Sequence, residues 1–340
     1  MPSLSAPFDA VLLIGFGGPQ RRADIRPFLR NVLRGRRIPA ERIEAVARHY
    51  EMFDGRSPLT EISRRQADGL RQRLSGSGPD LPVFLGMRNW HPFLDDVLSE
   101  MAESGVRRAL AIILAAHHSY SSCGQYRQNV ADARRTLGER GHPDVEVLYA
   151  PGWHTHPDFV AAHAARIEDA RRLLPGNLRR TARIVFTAHS IPRSMAGCAR
   201  YVAELEESAG LVAAAVDASD WQLVYQSRSG RPADPWLEPD VCDYLRAARE
   251  GGLEAAVLAP LGFVADHIEV LYDLDTEAAA VCRAAGLPMR RASAINDHPA
   301  FLDALADVVR AACARVGGGR PLPIVPGVPP ERVEGPPPAR

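Results

Sequence analysis

Residues 258–277 read LAPLGFVADHIEVLYDLDTE. The stretch opens as an uncharged apolar run, breaks at Pro260 and Gly262, and continues as a helix carrying Asp266, His267, Glu269, Asp273 and Glu277. An apolar run without alternation suits a parallel strand covered on both faces. A strand that empties into a helix is the unit of an open α/β sheet, and such sheets bind ligands where their strands end. Glu269, Asp273 and Glu277 are spaced i, i+4, i+8 and form one acidic column on a helix. Like charges stacked this way cost an isolated helix about 0.2–0.5 kcal/mol per pair. A solvated face is the ordinary reading of such a column. Its place at a strand's end points instead to a metal path, in which the cation supplies the missing counter-charge.

The same unit recurs along the chain. Strand-like runs at 9–16, 81–87, 108–116, 145–150, 183–188, 221–226 and 254–260 alternate with amphipathic segments such as 59–74, 92–104, 121–137, 157–173, 236–250 and 298–315. This is an α/β pattern with parallel sheets. One such core rarely takes up 340 residues, so two similar halves are expected to meet near 151–175. They are placed as Rossmann-like domains at 1–155 and 156–316 with the active-site cleft between them. The Gly- and Pro-rich stretch 317–340 is expected to be a disordered tail.

With 41 basic and 41 acidic side chains, no broad electrostatic footprint for nucleic acid is present. The five cysteines are scattered without a CxxC pair, which suits reduced thiols in a cytoplasm and speaks against a zinc knuckle or iron–sulfur cluster. MPSLSAPFDAVLLIGFGG at the start lacks a basic leader and reads as a first strand rather than a signal peptide. The longest apolar stretch falls short of the roughly 18 residues of a membrane helix. A cytoplasmic monomer without a transmembrane segment is expected.

Strand ends converge on a shared cleft in such folds. After the first comes GFGGP (15–19), after the second Arg88, Asn89 and Trp90, after the third His117, His118 and then Tyr126, after the fifth His189, after the seventh the acidic column. GFGG is half of a dinucleotide fingerprint, lacking the third glycine and the ribose-binding acid. His117, His118, His154 and His156 are metal-ligand types that more often stand as ordinary loop histidines. His189, between an apolar strand and Ser190-Ile191-Pro192, has a satisfied core histidine as its default. Ser119 and Ser190 lack a GxSxG elbow. Arg34, Arg36, Arg56, Ser57 and Tyr50 supply guanidinium forks and hydroxyls suited to carboxylates, the alternative being solvated turns.

Taken together, FGGP (16–19), RGR (34–36), SPL (57–59), AHSIP (188–192), YQSRSG (225–230), PWLEPDV (235–241) and GFVADHIEVLYDLD (262–275) resemble the ferrochelatase family from about residue 8 to about 314. That family inserts ferrous iron into porphyrins. The resemblance implies two Rossmann-like halves with the porphyrin between them, and a metal-binding His and Glu that fall on His189 and Glu269. Asp273 and Glu277 correspond to the acidic ladder behind that Glu. Ser57 and Tyr126 match porphyrin contacts, and Arg34, Arg36, His49 and Tyr50 lie in propionate-facing segments. Phe16 stands where some soluble relatives carry a tyrosine that approaches the metal, and its phenyl ring has no oxygen to offer. No cofactor beyond substrate Fe²⁺ is implied. The charged segment QRRADIRPFLRNVLRGRR (20–37) suits the tetracarboxylate coproporphyrin III. Protoporphyrin IX as substrate, or a non-catalytic tetrapyrrole or metal carrier, are the alternatives.

Overall fold

The computed structural model describes residues 6–35, 39–229 and 234–322. Arg36, a candidate substrate contact, lies outside the described residues, as do 323–340. Eight parallel strands among the described residues form two sheets of one plan. The first has the order β2-β1-β3-β4, from β1 (Ala10–Gly15), β2 (Val83–Met87), β3 (Arg108–Ile113) and β4 (Glu146–Tyr149). The second repeats it as β6-β5-β7-β8, from β5 (Arg183–His189), β6 (Trp221–Gln226), β7 (Ala256–Ala259) and β8 (Met289–Arg291). The helices are α1 (Ile25–Val32), α2 (Ala40–Glu51), α3 (Leu59–Ser77), α4 (Leu94–Glu103), α5 (Gln125–Glu139), α6 (Pro157–Arg172), α7 (Cys198–Ala215), α8 (Val241–Glu250), α9 (Ile268–Val270), α10 (Ala279–Ala284) and α11 (Pro299–Gly317).

The unbroken apolar runs are explained by cover on both faces. On β1, Val11 and Leu13 enter one core, while Ala10, Leu12 and Ile14 enter another on the opposite side. Successive side chains of a strand alternate between faces, so a strand buried on both needs apolar residues at every position. β5 repeats this, with Ile184 and Phe186 on one side and Val185 on the other.

Three features depart from the sequence expectation. β8 was not expected, because its residues Met289, Arg290 and Arg291 lack an apolar run and pair along one edge of the second sheet only. The last helix does not belong to the second core: Phe301, Leu305, Ala306 and Val309 of α11 join Val11, Leu13, Leu70 and Phe159 in the first. Residues 317–322 of the expected tail also belong to the fold, since Gly317 ends α11 and Leu322 is buried in that same core. An apolar leucine five residues past the helix can fold back onto it, which a composition count overlooks.

The halves are joined by polar contacts as well. Gln66 of α3, fully buried, donates through Nε2 to the carbonyls of Val264 (3.1 Å) and Asn296 (2.8 Å). On the other side, the carboxylate of Glu204 in α7 accepts from the His118 backbone N–H (2.6 Å), from His118 Nδ1 (3.0 Å) and from Arg200 Nε (2.7 Å). Burial opposes the charge of His118, yet its bonds to Cys123 and Glu204 lift it to about 9. Burial likewise opposes the charge of Glu204, and the His118 and Arg200 bonds hold it down to about 2. Stability from the raised imidazole is complete below its ordinary value of 6.5 and fades as pH rises through about 9. Stability from the depressed carboxyl is complete above 4.5 and fades as pH falls toward about 2. Glu204→Gln should therefore lower stability by roughly 2 kcal/mol between these limits. Thermal melts across pH check this: the gap to the parent should be widest near pH 5–6 and narrow by pH 9–10.

Candidate active site

The site is assembled where β5, β6 and β7 end side by side. His189 is the last residue of β5 and pairs in register with Gln226, the last of β6. The chain leaving β7 must pass close to β5, and Gly262 permits it: a methyl there would lie 2.7 Å from Cβ and 2.8 Å from Cα of Ala188. Any side chain would push the loop away from His189, because real Cβ contacts do not come this near.

Beyond Gly262 the backbone is extended at His267 (φ −152°, ψ 174°) and turns helical at Ile268. Glu269 Oε2 then faces two imidazoles, His189 Nε2 at 3.7 Å and His267 Nε2 at 3.6 Å. The tautomers are fixed from behind. Nδ1 of His189 bonds the Ser190 carbonyl, and Nδ1 of His267 bonds that of Ala265 at 3.2 Å. A carbonyl only accepts, so each Nδ1 carries a proton and each Nε2 faces Glu269, an N–H there pairing with the carboxylate and a bare nitrogen offering a lone pair to a cation. The carboxylate favours the charged form of His267. Burial works against the charge of Glu269, but the His267 hydrogen bond and the flanking imidazoles outweigh it and hold the carboxyl down to about 2. Two nitrogens and one carboxylate oxygen are donors suited to a first-row divalent cation.

His267 was absent from the predicted metal set. The i, i+2 spacing to Glu269 gives no signal for it, because only His267 is extended and the chain is helical from Ile268.

The acidic column continues outward, on a helix of another kind. Residues Leu271–Ala278 are π-helical, a rare geometry frequent at functional sites. The expected α-helix is thus corrected, although wider turns still leave residues four apart near one another. Asp273 accepts from Ser227 Oγ and from Gln226 Nε2 (3.1 Å). Burial lifts it to about 7, with the charges of Glu269 and Glu277 adding and the two hydrogen bonds opposing. Glu277, exposed at the outer end, is also raised, by burial and by Asp240, while the Tyr272 hydroxyl favours its charged form. The column's repulsion is therefore relieved by the two imidazoles at its inner end and by a shareable proton at its middle.

The other candidates divide into two groups. Phe16 and Tyr50 meet in one apolar cluster with Phe28, Trp90 and Ile268, the residue before Glu269. Burial and the charge of Glu269 push the Tyr50 hydroxyl above its ordinary value. His49 stacks on Tyr272. Arg34 is exposed and bonds Asn31 Oδ1 at 3.0 Å. Ser57 is buried against the GFGGP loop, where a methyl on Gly18 would lie 2.8 Å from Ser57 Cβ. That glycine gives Ser57 its close approach to the loop. Tyr126 is buried in the core over α5, with the Arg88 guanidinium 5.9 Å from its ring centre.

The remaining histidines are committed elsewhere. His117 Nε2 lies 3.0 Å from Ser208 Oγ, and His154 Nε2 lies 2.9 Å from Glu207. Donor atoms of His156, Asp158 and Asp307 lie within 4.8 Å of one another. His156 Nδ1, however, caps α6 by accepting from the Asp158 N–H, which leaves the proton of a neutral ring on Nε2, and Asp307 pairs with Arg310. Among the described residues no helix is long and apolar enough to cross a membrane.

Two similar parallel sheets are also found in solved chelatase structures. The sirohydrochlorin chelatase of Bacillus subtilis subspecies spizizenii in complex with cobalt superposes with TM-score 0.55 at 11% identity, covering 92% of this chain and 99% of that one. A multi-domain Deinococcus radiodurans protein with structural similarity to chelatases gives TM-score 0.54 at 16% identity, over 88% of this chain and 54% of its own. The fold is that of the chelatases. Sequence narrows the class: the ferrochelatase family model matches residues 8–313. A Rhodopirellula baltica ferrochelatase is 46% identical over 305 residues, 89% of this chain and 86% of that protein. Coproporphyrin III ferrochelatases of Streptomyces griseus and Mycolicibacterium smegmatis are 45% and 42% identical, covering 91% and 97% of this chain and 87% and 94% of theirs. The chain belongs to the ferrochelatase family, and it is an enzyme of that class.

Proposed function

We propose that this protein inserts Fe²⁺ into coproporphyrin III, and that His189 and Glu269 carry the reaction. The observation that carries the reading is the pair itself: His189 Nε2, its ring oriented by the Nδ1 bond to the Ser190 carbonyl, faces the carboxylate of Glu269 at 3.7 Å beyond the ends of β5 and β7. Two pyrrole N–H protons must leave a porphyrin as the metal enters. His189 Nε2 is a base positioned to take them. Glu269 holds and releases the partly hydrated cation, with His267 as a further nitrogen donor. Asp273, lifted by burial to about 7, can hold or pass a proton near neutral pH, so the ladder serves protons outward as well as iron inward.

The tetracarboxylate is favoured by the lip. On α1 the apolar Ile25, Phe28 and Leu29 turn inward, while Arg30 is exposed, as are Arg22 and Arg34 beside it; Arg21 and Arg26 are exposed too but already pair with Asp24 and with Glu44 and Glu51. A basic rim attracts four carboxylates more than two. The Streptomyces and Mycolicibacterium relatives carry the same substrate in their names.

Anaerobic initial rates of Fe²⁺ insertion with coproporphyrin III and protoporphyrin IX check the proposal. Coproporphyrin III should have the higher kcat/KM by at least tenfold, and the advantage should shrink with added salt. A preference for protoporphyrin IX overturns the substrate choice. Stoichiometric binding without turnover of either makes the protein a carrier.

A further inference from the structure

α2 packs on the lip helix α1, Tyr50 against Phe28, and one of its contacts is not explained by substrate binding. His49 and Tyr50 are neighbours on α2, and both reach across to the helix of the second half. Tyr50 enters the apolar cluster that contains Ile268. The His49 ring lies face to face with Tyr272, 3.6 Å between centroids and 11° between planes. Among the described residues it is the one ring pair stacked in this way, the others being tilted or edge-on. Ile268 immediately precedes Glu269, and Tyr272 immediately precedes Asp273. The lip thus grips the metal-bearing helix at two points one turn apart, each adjacent to a rung of the column. Tyr272 continues the connection, because its hydroxyl favours the charged form of Glu277 at the outer end. The resemblance assigned His49 to a propionate-facing segment. A ring laid flat on Tyr272, and held below its ordinary range by burial and by Arg42 and Arg48, is poorly suited to receive an anion.

We propose that the His49–Tyr272 stack is a positioning contact that ties the porphyrin lip to the iron route, holding Asp273 and Glu277 in line with Glu269. His49 touches no reacting atom in this role. The proposal rests on the reading of the column as the path of Fe²⁺.

Steady-state rates with Fe²⁺ and porphyrin varied separately, under anaerobic conditions and on the full chain, test it. His49→Ala should raise KM for Fe²⁺ at least fivefold and shift KM for porphyrin less than twofold. His49→Phe keeps a flat ring and should restore the iron KM to within twofold of the parent. Tyr272→Ala should reproduce the His49→Ala effect, and the double variant should be no worse than either single, since contacting residues are not additive. A raised porphyrin KM with unchanged iron KM makes His49 a carboxylate contact and overturns the proposal, as do failure of His49→Phe to rescue and additive single effects. The two readings separate cleanly: a parent inactive on both porphyrins removes the site reading and the stack's role with it, whereas an active parent indifferent to both substitutions removes the stack alone.

Discussion

Glu269→Gln is expected to lower kcat for Fe²⁺ insertion on the order of 10²–10³-fold, with the protein folded and porphyrin binding retained. Glutamine has nearly the shape of glutamate, so the neighbouring apolar cluster of Phe16, Tyr50 and Ile268 stays in place. What changes is charge. The carboxyl, held down to about 2, is ionised throughout the working pH range, and the substitution removes the anion from between His189 and His267. An amide oxygen is a weaker donor to Fe²⁺ than a carboxylate. His189→Ala should cost as much by another route, since it deletes the base at Nε2 while leaving Glu269 with His267. If the two act on one cation and its departing protons, the double variant will be little slower than either single, because residues acting as a unit are not additive. Quenched porphyrin fluorescence measures binding, and the visible bands of the metallated product measure turnover. A folded Glu269→Gln protein that turns over normally would show that iron enters without this carboxylate.

Much of this site was legible in the residues because its parts are punctuated. An apolar run that gives way to polar residues, Gly or Pro marks a strand end in a parallel sheet: His189 closes one such run as the last residue of β5, and Glu269 follows another across Pro260 and Gly262. The column's spacing was equally plain, since i, i+4, i+8 survives the change from α- to π-helix. Three things were not legible. His267 carries no mark of its own within the stretch, because the switch from extended to helical backbone at Ile268 is not announced by a local pattern. The membership of α11 in the first core was hidden because a helix's apolar stripe says that it is buried, not against what. The burial of Ser57 and Tyr126 was hidden for a related reason: polar residues near a cleft look alike whether they face it or seal its wall.

The buried carboxylate of Asp266 is the other place where one atom group should have a large effect, here on stability. Asp266 Oδ1 accepts from Arg291 NH1 (2.8 Å) and from the Ala294 N–H (3.3 Å), and Oδ2 accepts from Asn296 Nδ2 (2.8 Å). Its own N–H donates to Asn296 Oδ1 at 2.8 Å. Asn296 in turn offers its carbonyl to Gln66 of the first half. One side chain therefore ties the loop before His267 to β8 and, through Asn296, to α3. The charges of Asp266 and Arg291 are both shielded, with 13% and 14% of their side chains exposed. Removing one member of such a pair leaves the other without its counter-charge, which typically costs about 3–5 kcal/mol. Arg291 keeps Asp275 at 2.7 Å, so Asp266→Ala should fall at the low end, about 3 kcal/mol, or a drop in Tm on the order of 5–10 °C. Asp266→Asn keeps one acceptor for Arg291 and should lose roughly half as much. Because His267 is the next residue, the iron KM of Asp266→Ala should rise at a temperature where the protein is still folded. Differential scanning calorimetry of the three proteins checks the order parent, Asp266→Asn, Asp266→Ala. An alanine variant as stable as the parent would mean that Gln66 and Asn296 hold the two halves together without the carboxylate between them.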